Sequence, residues 1–138
     1  MSSYDPVIVA FQHVRARCGP DLDGRVTAVS EHPAPHGTNW PVLTYQFQAS
    51  DDSLGLGTIR YLTEVELLVR VAFREGTSLD VAGTVEAIDQ ALVSQQCFDY
   101  ERGRILGCVR VRPFHLTETG DDSRPVRHRG GIYRLTVS

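Results

Sequence analysis

His32 and His36 stand four residues apart, the spacing by which one helix face offers two metal ligands. They lie in His-Pro-Ala-Pro-His, and two prolines keep that stretch from forming a helix. The spacing therefore places nothing on one face, and no metal is expected there. Cys108 and His115 would be a nucleophile and its base if they met. An alternating strand puts them on opposite parities, and neither Gly-x-Ser-x-Gly nor a papain-type cysteine context surrounds them. Gly55-x-Gly57 lacks the third glycine and following helix of a phosphate loop. Glu64 and Glu66 share one strand face, as a general acid and base could. Arg60 and Arg70 lie near enough to pair with them instead. The expectation is a non-enzyme with no cofactor.

What remains is charge. All fourteen basic residues are arginine, which suits bidentate contacts between proteins better than lysine. A net charge of −3 argues against a general nucleic-acid binder. The charge is unevenly spread: residues 1–101 hold six Arg against fourteen acids, and residues 102–138 hold eight Arg against three acids. Arg110, Arg112, Arg127 and Arg129 are candidates for a positive contact face. Asp51, Asp52, Glu64 and Glu66 are candidates for a negative one. Leu54 and Leu56 give the loop Ser50–Gly57 something apolar to bury on a partner. Ion pairing within the chain is the competing use of these charges. Tyr133 is the one aromatic near the arginines, too few for stacking on bases. His13 reads as solvated, and His115 and His128 as solvent-facing or partner-facing.

The elements that must position these residues are organised around Thr58–Arg74. Ile59, Tyr61, Val65, Leu67, Val69, Val71 and Phe73 alternate with Arg60, Glu64, Glu66, Arg70 and Arg74. Period-two alternation gives one apolar and one charged face, an unusually long strand. Asp5-Pro6 caps a first helix over 5–18, which Gly19-Pro20 stops. Residues 25–29 and 41–49 read as strands, joined by an irregular Pro/His-rich loop over 32–41. Residues 50–57 read as a mobile loop. Ser78 reads as the cap of a second helix running to Ser94. Residues 95–103 read as loop, 104–116 as a strand with Pro113 at an edge or bulge, 117–127 as loop and 131–138 as a closing strand.

This order predicts one α+β domain over 1–138: a largely antiparallel sheet with two amphipathic helices on one face. Its core should gather Phe11, Val65, Leu67, Val69, Val71, Val85, Ile88, Leu92 and Val109. Cys18, Cys97 and Cys108 are too few and too irregular for a disulfide framework. No membrane span or signal peptide is apparent.

Several phrases carry a family likeness: PVLTYQFQ before a Gly/Asp-rich loop, YLTEVELLVRV, VEAIDQAL, RILGCVRVRP and HRGGIYRLTV. Together they resemble the tail terminator, or tail completion, proteins of long-tailed bacteriophages. The resemblance spans residues 40–138 and, loosely, the first helix; the Pro/His-rich loop departs from it. It implies a virion subunit that forms a ring, usually a hexamer, at the head-proximal end of the tail. The implied partners are further copies of the chain, the tail tube protein and a head-completion or connector protein. Genome DNA would pass through without specific binding, and assembly would occur in the host cytoplasm. The reading from residues alone leaves open a small bacterial ligand-binding or regulatory domain, dimeric, with Ser50–Gly57 as a ligand loop.

Overall fold

A computed structural model describes residues 3–54, 61–119 and 125–138, with backbone alone at 53, 54 and 61. Helix α1 spans Pro6–Cys18. Asp5 caps it by accepting the Ile8 amide at 3.1 Å, and Pro6 takes the first position, where no amide is needed. Helix α2 spans Val81–Leu92. Its cap is Asp80, which accepts the Gly83 amide at 3.1 Å, and not Ser78 as the sequence suggested. A β-carbon on Gly83 would lie 2.2 Å from the Asp80 carboxylate, so the bare backbone there lets the cap close. The helix stops before Ser94 because Ser94 instead bridges to Cys108 in both hydrogen-bonding directions.

Six strands form one sheet: β1 Ala28–Glu31, β2 Val42–Leu54, β3 Tyr61–Arg74, β4 Phe98–Tyr100, β5 Gly103–Glu118 and β6 Val126–Val137. Their order across the sheet is β1-β2-β3-β6-β5-β4. The sheet is mixed, a partial correction to the antiparallel expectation: β1 pairs parallel with β2, and the other pairings are antiparallel. The reason is the loop 32–41, which carries the chain back so that Val42 starts beside Ala28. Long strands are not confined to β3. It has 14 residues, β2 has 13 and β5 has 16. Ser50 to Leu54 continue β2 against β3 and are not a loop, whereas Gly55 to Gly57 lie outside the described residues. The stretch read as loop over 95–103 contains β4.

Both helices lie on one face, here called the inner face. Val65, Leu67, Val69 and Val71 of β3 meet Val9 and Val14 of α1 and Ile88 and Leu92 of α2, all fully buried. Phe11 is half-buried against the Tyr45 ring at 5.2 Å, and Val85 is half-buried. Val109 is a correction: it is 48% exposed. Leu106 is an extra residue in β5 between the partners of Val137 and Thr136. That bulge reverses the phase of the strand. Cys108 turns into the core and Val109 turns out. A second bulge at Val111 restores the original phase beyond it.

Candidate functional site

The first bulge also decides where Arg110 points. Arg110 pairs across the ladder with Tyr133, an inner-face residue, so its guanidinium reaches α2 and meets Asp89 at 3.0 Å. Asp89 also accepts the Tyr133 hydroxyl, which is buried and held in its neutral form by that burial and then by the bond. This triad ties α2 to the sheet. Arg127 reaches Glu75 at 3.3 Å, Arg102 lies 3.8 Å from Asp5, and Arg104 pairs with Asp99. Arg134 sits between Glu66 at 3.1 Å and Glu64 at 3.8 Å.

The uneven charge of the sequence is thus largely matched inside the molecule. Arg102, Arg104, Arg110, Arg127 and Arg134 all pair with acids from the first 101 residues. Among the predicted contact residues, Glu64, Glu66, Arg110 and Arg127 are engaged in this way. Arg112 and Arg129 make no ion pair among the described residues. Asp51 is exposed at the end of β2, and the neighbouring Asp52 accepts the Thr63 hydroxyl at 2.7 Å. Leu54 is described by its backbone and Leu56 lies outside the described residues.

Two surfaces remain. One is a groove of about 590 Å³ between α2 and the far half of β5 and β6. Val81 and Val85 of α2 line it, together with Phe73, Arg127, Arg129 and His115 of the sheet. The second comprises the two free edges of the sheet. Beta1 covers β2 only from Val42 to Tyr45, and β4 covers β5 only from Gly103 to Ile105, followed by the single bridge at Cys108. From Gln46 onward in β2, and from Val109 onward in β5, the outer edge has no strand partner among the described residues. These edges carry Phe47, Val109, Val111 and Leu116, exposed by 42, 48, 37 and 39%. The alternation of β5 assigns Val109 to the core instead, because a bulge is invisible to parity counting.

The outer face holds a cluster that the sequence did not reveal. Arg70, read as part of a solvated face, is only 6% exposed. Its Nη2 lies 3.1 Å from His32 Nδ1 and donates to Gln46 Oε1 at 3.1 Å, and its guanidinium stacks over Phe114. His128 is buried beside it, 3.4 Å from Glu118, contrary to the solvent-facing expectation. Burial, and next the Arg70 charge, hold both imidazoles below the usual histidine range. His32 and His36 do not converge, and no group of three metal-ligating side chains occurs among the described residues. The Pro/His-rich loop closes over this face and leaves a cleft of about 270 Å³ above Val42, Thr44 and Ala72.

His13 also departs from expectation. It is fully buried, its Nδ1 is 2.9 Å from the Tyr100 hydroxyl, and burial lowers its pKa to about 4. Cys18 and Cys108 are buried and their thiols are pushed up to about 12, far from a reactive thiolate. Cys97 is exposed, and all three cysteines are free. No helix among the described residues is long and apolar enough to cross a membrane.

No family model matches the sequence, and no curated protein matches it. Among solved structures, a chain of the virion of a native gene transfer agent particle is similar in fold, with a TM-score of 0.58 and 18% identity. The match covers 92% of this chain and 90% of that one, so the whole α+β architecture, and not one motif, is what the two share.

Proposed function

We propose that this chain is a structural subunit of a phage-like virion, and more closely a tail terminator. The observation that carries the reading is the fold likeness to a chain of a gene transfer agent virion over nearly the full length of both. The sequence resemblance to tail terminators supports the finer assignment. The build is compatible with it: a small domain with long strands and two open sheet edges, suited to repeating contacts with copies of itself.

In this reading the chain forms a ring, a hexamer by the family likeness. The ring caps the completed tail tube, stops further polymerisation and offers its other side to a head-completion protein. Genome DNA passes through without specific contacts. The chain performs no catalysis, and it resides at the head-proximal end of the tail after assembly in the host cytoplasm. The contacts between copies use residues from the predicted set, chiefly Asp51, Asp52, Arg112 and Arg129, because Glu64, Glu66, Arg110 and Arg127 are already ion-paired within the subunit.

Negative-stain imaging of the purified protein, alone and with tail tubes, tests this. Rings with a central hole, and tubes capped at one end, are the expected result. A protein that stays monomeric or dimeric and leaves tube ends bare would overturn it. Exposed ion pairs are screened over about 8–10 Å at physiological salt. Ring assembly or tube capture should therefore weaken as salt rises; salt-independent assembly would leave apolar packing as its cause.

A further inference from the structure

We infer that copies of this chain join edge to edge, the free edge of β5 in one pairing antiparallel with the free edge of β2 in the next. The inference rests on the ring reading and specifies its contact. Within the sheet, β2 and β6 run one way and β3 and β5 the other. A second copy in the same orientation therefore meets the first with antiparallel edges, the arrangement that evenly matches backbone donors and acceptors. The free stretches are similar in length, Gln46–Leu54 on β2 and Val109–Glu118 on β5.

The ladders determine how these stretches align. Asp51 lies level with Thr136 through Glu64, and Arg112 lies level with Ile132. Sliding the second copy by these four residues brings Gln46–Ser53 of one opposite Val109–Leu116 of the other, with β1 and β4 left at the two ends of the new ladder. Arg112 then faces Asp51, and Arg110, which already pairs with Asp89 in its own subunit, comes level with Asp52. Each pair lies on one face of the joined sheet: Arg112 and Asp51 outside, Arg110 and Asp52 inside. His115 comes opposite Phe47, and Phe114 opposite Ala49. The extra residues Gln48 and Val111, bulged against β3 and β6, keep these faces in phase. Pro113 has no amide hydrogen and makes the ladder discontinuous, which disfavours indiscriminate strand addition.

The offset also has the size that closure requires. Four residues advance about 13 Å along the strands. Four strands per copy, β2, β3, β6 and β5, span about 19 Å across them at ~4.8 Å each. That stagger tilts the strands by about 35° from the ring axis, at the edge of the range of closed barrels. The opposite charges of Arg112 and Asp51 favour this register over its neighbours.

Cysteine pairing tests the register. In a Cys97→Ser background, Arg112→Cys and Asp51→Cys are combined in one chain and oxidised mildly. Cross-strand partners lie about 4.5–5.5 Å apart between α-carbons, within disulfide reach. A covalent ladder up to the size of the ring is expected, with none from Arg112→Cys paired with Gln46→Cys. Separately, Arg112→Asp should weaken self-association roughly ten-fold, and Asp51→Arg in the same chain should restore most of it. Rings that form without this cross-link, or with the control cross-link, overturn the edge pairing and leave the ring reading standing. Failure of the charge exchange to rescue also overturns it. No self-association, with or without tail tubes, overturns both.

Discussion

The two faces of β3 are built from alternate residues of one strand yet solve different problems. Val65, Leu67, Val69 and Val71 enter an apolar core between sheet and helices, where burial of nonpolar surface is the whole driving force. On the other face Arg70 is nearly as buried, but beneath a Pro/His-rich loop and among polar groups. The inner face needs shape; the outer face needs partners. A charge is tolerated on the outer face only because His32, Gln46, Phe114 and nearby Glu118 surround it. Alternation in a sequence therefore distinguishes two faces but does not make the polar one solvated.

The strongest way to break this contrast is Val69→Asp. It would place an unpaired carboxylate among fully buried side chains, a cost of roughly 4 kcal/mol or more. Loss of soluble expression and of any cooperative melt is expected. A variant that still melts cooperatively would mean the strand is turned the other way.

Acid sharpens the comparison next. His13 on the inner side has a folded pKa near 4, against about 6.5 when unfolded. The unfolded chain then binds more protons between those values, so stability is full above about pH 6.5 and declines as pH falls toward 4. The loss from this one group is roughly 3 kcal/mol. His32 and His128 are shifted in the same direction and add to the slope. Denaturant titrations at stepped pH should show the decline, and His13→Gln should flatten it. An unchanged slope in that variant would place the acid sensitivity in the outer cluster.

Arg70→Ala removes the centre of the outer cluster and should cost about 2 kcal/mol, whereas Arg70→Met, which keeps the packing and removes the charge, should cost less than about 1 kcal/mol. Equal losses from both would mean the charge itself holds the loop. The smallest effect is expected at Arg134, between Glu64 and Glu66 on the half-exposed surface. Arg134→Ala should shift stability by less than about 1 kcal/mol. A larger change in the melting transition would show that this pair of carboxylates cannot be left unopposed.

Much of this was legible in local signals. Asp5-Pro6 and Gly19 bound the first helix, the β3 alternation marks its buried side, and the closing strand forms where 131–138 reads as one. These signals depend on neighbours in the chain. The failures share a cause. Parity carried through Leu106 places Val109 in the core, whereas the unpaired extra residue there reverses it. His13 reads as solvated from its helix alone because its partner, Tyr100, lies in a distant strand.

The sequence alone determined the helices, the apolar side of β3 and the α+β class, because caps and periodicity act over a few residues. Tertiary structure alone decided the rest. It set the parallel β1–β2 pairing, the two bulges of β5 and the burial of Arg70 and His128. It also decided which charges are matched within the subunit and which lie at the free edges. Those outcomes depend on which strands become neighbours, and a strand records its own faces but not the partner that will lie beside it.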